Sequence, residues 1–273
     1  MLVVFDMDGT LLNAQSQLSP RTAEALARLR ERGIQYTVAT GRTLQAALGP
    51  LTGHGFSLPQ ILKNGAVIWQ PGETAYLQQH LVSRSLLDTL LPIFTAVDTT
   101  AFVFTLEPNH VHGVYHADLR NDIELRMAAM FEAERELPLR PLSALPDEAE
   151  IINISAITTA TALAEIRQAV VSLPALVCYS GVAIRDRQLH WLDIHHGHGS
   201  KGNAISALRD QLGVSKVMVF GDGDNDLSMF ECADEAYAPS NADDAVKALA
   251  TAVIGHHDED GIAEFLFERF DLS

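Results

Sequence analysis

Short apolar runs alternate with amphipathic helical stretches at the start of this chain, the alternation stops near Ser83, and it resumes after Gly199. That interrupted rhythm constrains the fold more than any other feature. Strand-helix-strand order calls for a parallel sheet flanked by helices, so one sheet has to be built from two distant stretches. In the first, Leu2-Val3-Val4-Phe5 reads as a fully apolar, buried strand. Ser19-Pro20 caps a helix that ends at Gly33. Gln35 to Ala39 is a second strand, Thr43 to Leu51 a second helix, and Ile61-Leu62 opens a third strand. Ala66 to Trp69 and Ala75 to Leu77 flank Gln70-Pro71-Gly72-Glu73 as a hairpin.

The middle stretch has a different order. A helix over Arg84 to Ala96 precedes strands at Ala101 to Leu106 and His110 to Tyr115, and a long helix from Ala117 to Glu136. A strand at Glu150 to Ile157 and a helix at Thr161 to Ser172 follow. Strands at Leu176 to Tyr179, Val182 to Ile184 and Leu189 to Ile194 close the stretch. Strands joined by short turns imply an antiparallel sheet with helices on one face, an inserted α+β domain. The α/β rhythm then returns as helix Lys201 to Leu212, strand Lys216 to Phe220 and helix Leu227 to Cys232. A short strand at Ala236 to Ala238 and helices at Ala242 to Leu249 and Gly261 to Phe270 complete it. The expected division is a core of residues 1–82 and 190–273 around an insertion of residues 83–189.

Composition narrows the function. With 47% hydrophobic and 20% charged residues, the chain has an ordinary globular balance. No apolar run approaches the ~20 residues of a membrane helix. Asp6 and Asp8 interrupt the apolar start and no basic flank precedes it, which argues against a signal peptide. Cys178 and Cys232 are far apart, without CxxC spacing, so a reducing cytoplasm is the simplest location. Oligomeric state is not legible. The net charge of −16, with no Lys/Arg cluster, excludes a nucleic-acid binder. An anionic metabolite would meet the same repulsion unless a bound cation and placed donors reversed the field locally.

Four segments at strand and helix ends answer that requirement. Asp6 and Asp8 follow the first strand, at the edge where parallel sheets hold ligands. Their two-residue spacing lets one carboxylate face a metal and one a reacting group, and Gly9 turns the chain away. Thr40-Gly41-Arg42 offers a hydroxyl and an amide N–H at a helix start, a phosphate cradle. Lys201 opens a helix, where the macrodipole favours acidic residues instead; a fixed ammonium facing a phosphoryl group accounts for it. Gly221-Asp222-Gly223-Asp224-Asn225-Asp226 crowds carboxylates into a tight loop that a hard cation such as Mg²⁺ would stabilise. The twelve-position calcium loop with its terminal Glu is absent.

With these four segments in this order, the chain resembles the haloacid dehalogenase superfamily, and more narrowly its Cof-type phosphatases with a C2-type α+β cap. Asn64-Gly65-Ala66, Asn241-Ala242 and Asp260-Gly261-Ile262-Ala263 support the match. The resemblance implies a Rossmann-like parallel-sheet core and a cap that sets substrate selectivity. It implies an aspartyl-phosphate on Asp6, with Asp8 as the acid and base. Thr40, the Gly41 amide and Lys201 would hold the phosphoryl oxygens. Mg²⁺ would be bound by Asp6, the Asp8 carbonyl, Asp222 and Asp226, with Asn225 close by. Arg42 and Asn64 would be substrate contacts. The implied activity is hydrolysis of a small phosphorylated metabolite, with a phosphomutase or a non-catalytic phosphometabolite-binding regulator as alternatives.

The chain departs from the family pattern in two places. Asp193-Ile194-His195-His196-Gly197-His198 stands where relatives carry a Glu-Ile-x-Pro type of segment. His195, His196 and His198 invite a transition-metal reading, against which a polar loop is the simpler expectation. Pro239-Ser240-Asn241 replaces Met-Gly-Asn, and His256-His257 reads as a solvated turn.

Overall fold

The computed structural model describes residues 1–107, 112–135, 137, 139–183 and 186–272. His110, Val111, Glu136 and Ile184, which the sequence assigns to regular elements, lie outside these residues. The chain divides into two compact units, Met1–Gln78 with Ser200–Ser273, and Gln79–Gly199. These boundaries differ from 82/83 and 189/190, and the latter falls within the long strand Asp186–His196.

The chain opens with β1 (Leu2–Phe5), α1 (Pro20–Glu31), β2 (Gln35–Val38), α2 (Leu44–Leu51), β3 (Gln60–Leu62), β4 (Val67–Trp69) and β5 (Tyr76–Gln79). The middle holds α3 (Arg84–Ala96), β6 (Phe102–Leu106), β7 (His112–His116), α4 (Asp122–Arg135), β8 (Leu139–Pro141), β9 (Glu150–Thr159), α5 (Ala160–Val171), β10 (Leu176–Ala183) and β11 (Asp186–His196). The last part supplies α6 (Lys201–Leu212), β12 (Val217–Phe220), α7 (Leu227–Cys232), β13 (Glu235–Pro239), α8 (Asp244–Leu249), β14 (Ala252–Ile254) and α9 (Gly261–Phe270).

In the first unit the sheet order is β14-β13-β12-β1-β2, with every pairing parallel. The all-apolar sequence of β1 follows from its central place. Val3 and Phe5 join one core cluster with Leu26, Leu29 and Leu266, while Leu2 and Val4 join another with Ile205, Leu208 and Phe230. Successive strand residues point to opposite faces, and here both faces are covered. Phe5 stands opposite Phe220 on one side and Val38 on the other. All three strands therefore end level. An Ala39–Ile61 bridge continues the edge toward β3, which pairs antiparallel with β4.

The second unit carries a six-stranded sheet of order β10-β11-β9-β6-β7-β8. Its pairings are antiparallel except β7 with β8. The sequence implied helices on one face only. Instead, Val103 and Ile154 pack with Leu90 of α3 and Ile166 of α5, whereas the alternate residues Phe102 and Phe104 pack with Phe131 of α4. Both faces thus receive helices. α4 also starts later than expected, because Asn121 accepts the Ile123 and Glu124 amides at its head. β10 runs unbroken through Ser180-Gly181, and Gly181 leaves room for the Trp191 ring: a Cβ there would lie 2.7 Å from Trp191 Nε1. Among the described residues no helix is long and apolar enough to cross a membrane.

Candidate active site

Asp6 is the first residue past β1 and its amide donates to the Phe220 carbonyl at 2.8 Å, so it continues the sheet for one more step. Its carboxylate is buried and accepts from Lys201 Nζ at 2.5 Å. The same ammonium donates to Asp226 Oδ1 at 2.6 Å. Lys201 is 0% exposed. An ammonium in the first turn of a helix is opposed by the helix dipole, and two carboxylates offset that here. Ser200 caps α6 by accepting the Asn203 amide, and Gly202 lets α6 lie against α7: a Cβ there would stand 2.1 Å from the Ser228 carbonyl.

The loop after β12 is organised by Asp226. Its Oδ2 accepts the Asp222 and Gly223 amides at 2.8 and 2.9 Å while Oδ1 faces Lys201. Asp222 is thereby turned toward the first loop, where Thr10 Oγ1 donates to its Oδ1 at 2.7 Å. Gly9, at φ +76°, passes so close that a Cβ would sit 2.4 Å from Asp222 Oδ2. Only glycine meets both demands at that position. Asn241 ties the loops further, donating to the Gly9 carbonyl at 2.8 Å and accepting the His257 amide at 3.2 Å. The His257 ring bonds the Leu12 carbonyl at 2.8 Å, so His257 is a buttress rather than a solvated turn residue.

Beside this cluster, Thr40 is buried and its Oγ1 accepts the Arg42 amide at 3.2 Å, leaving its hydroxyl proton to donate. Lys63, Asn64 and Gly65 all have positive φ (48°, 57° and 96°). For the two non-glycine residues that backbone costs about 1 kcal/mol or more each. The tight turn carries Asn64 to the cradle: its amide donates to the Thr40 carbonyl, and its Oδ1 accepts Asn225 Nδ2 at 2.8 Å. Gly41 passes next to it, with a hypothetical Cβ 3.1 Å from Asn64 Oδ1. The Asp8 carboxylate is not part of that cluster. Arg42 grips it with two donors, Nε to Oδ2 at 2.8 Å and Nη2 to Oδ1 at 2.5 Å. The Asp8 carboxylate is therefore not among the groups placed for a metal, and Arg42 is engaged with Asp8.

Asp6, Asp222 and Asp226 bring carboxylate oxygens within 4.8 Å of one another. Three carboxylates face one ammonium, and two of them, those of Asp6 and Asp222, are pushed upward. Burial pushes the Asp6 carboxyl well above its usual range, against Lys201 and with help from Asp226 and Asp222. Burial likewise lifts Asp222 to about 7, with Asp226 adding to it. Burial alone would lower Lys201, but Asp226 and Asp6 outweigh it and the group is raised. A divalent cation on oxygen ligands would cancel the excess negative charge, and the hard donor set suits Mg²⁺. Asp226 also holds the loop, accepting the Asp222 and Gly223 amides on Oδ2 and Lys201 on Oδ1.

The histidines lie in the second unit. His195 and His196 belong to β11 rather than to a loop, and His195 is fully buried. His196 stacks on His80 with ring centres 5.8 Å apart, and His198 lies 5.3 Å from His196. Among the described residues only the aspartate trio groups as a candidate metal site.

An open parallel sheet whose central strands β1 and β12 end in a carboxylate cluster, met by the buried lysine that opens α6, defines an α/β enzyme with its site at the C-terminal edge of the sheet. The chain belongs to the haloacid dehalogenase-like hydrolases, whose family profile matches residues 3–266. Among its relatives is the pyridoxal phosphate phosphatase YbhA of Escherichia coli K12, 29% identical over 280 residues, with 98% of each chain covered. Another is the 5-amino-6-(5-phospho-D-ribitylamino)uracil phosphatase YwtE of Bacillus subtilis 168, 27% identical over 289 residues, covering 97% of this chain and 96% of YwtE. A solved sugar phosphatase of the superfamily's subclass IIB shares the fold, with a TM-score of 0.78 at 21% identity, over 100% of this chain and 99% of its own.

Proposed function

We propose that this hydrolase is a cytoplasmic, Mg²⁺-dependent phosphomonoesterase that works through an aspartyl-phosphate on Asp6. The observation that carries the reading is the Lys201 ammonium buried between Asp6 and Asp226, with Asp222 alongside. In the first step an Asp6 oxygen bonds to phosphorus, the bond from phosphorus to the leaving oxygen breaks, and Asp8 supplies that oxygen with a proton. In the second, Asp8 takes a proton from water, the water oxygen bonds to phosphorus, and the Asp6–phosphorus bond breaks to release inorganic phosphate. Thr40, the Gly41 amide and Lys201 hold the phosphoryl oxygens, and Asn225 and Asn64 fix the cradle. Asp6, Asp222 and the Asp8 main-chain carbonyl would hold Mg²⁺, with Asp226 keeping their loop in shape. When bound, the ion neutralises phosphoryl charge and keeps the reacting groups in line.

The substrate is a small phosphorylated metabolite. The relatives named for pyridoxal phosphate, a phosphoribitylamino pyrimidine and sugar phosphates support that class without choosing within it. Residues 79–199 serve as the selectivity cap. The test is release of p-nitrophenol from p-nitrophenyl phosphate with Mg²⁺ and with EDTA, for the natural chain and for Asp6→Asn. Hydrolysis that needs Mg²⁺ and vanishes in Asp6→Asn is expected. Equal rates in the variant would discard Asp6 as the nucleophile.

A further inference from the structure

Arg42 carries more of its bonding toward Asp8 than a substrate contact should. Its Nε and Nη2 form a two-point fork on the Asp8 carboxylate, and Nη1 donates to the Ala46 carbonyl in the first turn of α2 at 3.0 Å. All three guanidinium nitrogens are thus engaged. The main chain of Arg42 is fixed as well, its amide on Thr40 Oγ1 and its carbonyl accepting the Lys63 amide at 3.1 Å. Asp8 is the opposite case. Its side chain is 56% exposed on a loop, against 18% for Arg42. A carboxylate so exposed would sample several rotamers, and each wrong one removes it from the reacting oxygens.

We propose that Arg42 is a positioning residue that acts through Asp8, holding the acid-base carboxylate in one orientation, and that it does not bind the substrate. This rests on the reading of Asp8 as the group that protonates the leaving oxygen and activates water. A planar guanidinium fork fixes both the place and the plane of a carboxylate, which an ammonium cannot do. Each carboxylate oxygen keeps a second lone pair, so Asp8 can still take up and return a proton while held. α2 begins at Leu44, two residues on, and supplies a rigid base for the arm through Ala46.

The consequence depends on the leaving group. p-Nitrophenolate departs without a proton, whereas an alkoxide needs one. Replacing Arg42 with alanine should therefore lower kcat/KM on β-glycerophosphate about ten-fold or more beyond its effect on p-nitrophenyl phosphate. With the aryl substrate it should give a burst of p-nitrophenol followed by slow turnover, because the second step still needs Asp8. Arg42→Lys should resemble Arg42→Ala, since it keeps the charge and loses the fork. In an Asp8→Asn background, Arg42→Ala should cost nothing further. The alkyl-to-aryl ratio is independent of the fraction of folded protein, so a poorly folding variant still reports. Equal losses on both substrates with a raised KM, additive loss on Asp8→Asn, or full rescue by lysine would overturn the inference while leaving the phosphatase reading intact. Natural rates from Asp8→Asn itself would overturn the acid-base role of Asp8 and this inference with it.

Discussion

A lysine with no exposed atom is held in this protein by two carboxylates, and among the described residues the third carboxylate of the group, Asp222, pairs with the Thr10 hydroxyl instead. Lys201→Met should therefore be costly twice. It removes the donor proposed for the phosphoryl group, and it strands Asp6 and Asp226 in a buried site, a change worth about 3–5 kcal/mol when one partner of a buried pair is lost. Urea unfolding in EDTA would show the stability loss, and hydrolysis of p-nitrophenyl phosphate the loss of rate. The natural chain carries its own signature. Asp222 has a folded value of about 7 against an ordinary 3.8, with burial as the main cause. Between those values the folded state holds a proton that the unfolded state has released. The stability this lends is full below about 4 and disappears as pH rises through about 7, so metal-free protein should be less stable at pH 8 than at pH 5. Added Mg²⁺ should shrink that difference, and urea midpoints at the two pH values measure it.

Among the elements, α6 places the lysine and α7 fixes where α6 can lie. Gly202→Ala would drive a methyl to 2.1 Å from the Ser228 carbonyl. The expected loss of about 1–3 kcal/mol from overpacking exceeds the ~1 kcal/mol that alanine gains over glycine in a helix. Gly49, inside α2, has nothing within 4 Å of its hypothetical Cβ, so Gly49→Ala should be neutral or stabilising in the same denaturation assay. The contrast bears on what a sequence discloses. β1, β12, α1 and α6 were legible because local periodicity and caps such as Ser19 and Ser200 act within a few residues. Asp6, Lys201, Asp222 and Asp226 stood at the ends of those elements, and the level register of β1, β2 and β12 brings them to one edge. What local pattern could not disclose depends on distant partners. β8 and β14 are three residues each, too short for a period, and exist because β7 and β13 pair with them. The strand from Leu176 reads as ending at Tyr179, because the reason for Gly181, the Trp191 ring, lies on another strand. Thr10 shows no role in the sequence and His257 reads there as a solvated turn for the same cause: each acts on a loop remote from it in sequence.

At the scale of the molecule, each unit owns its cores: Val3, Phe5, Leu2 and Val4 anchor those of the first, Val103, Ile154, Phe102 and Phe104 those of the second. A unit whose core is drawn from one continuous stretch of chain can fold alone, and residues 79–199 are such a stretch. Residues 79–199 expressed as a separate chain should give one cooperative thermal transition by circular dichroism; a featureless melt would contradict that. The first unit has no such independence, because β1 lies between β2 and β12, strands from opposite sides of the insertion. Translation gives this arrangement a direction. The ribosome delivers Asp6 before the insertion, yet the strand that completes its sheet and the lysine that pairs with it emerge only after the whole insertion has left the exit tunnel. The nascent insertion can be folded and finished while Asp6 still waits. The Asp6 carboxylate is made ahead of the insertion, and the cluster around it is assembled only once the insertion has been passed.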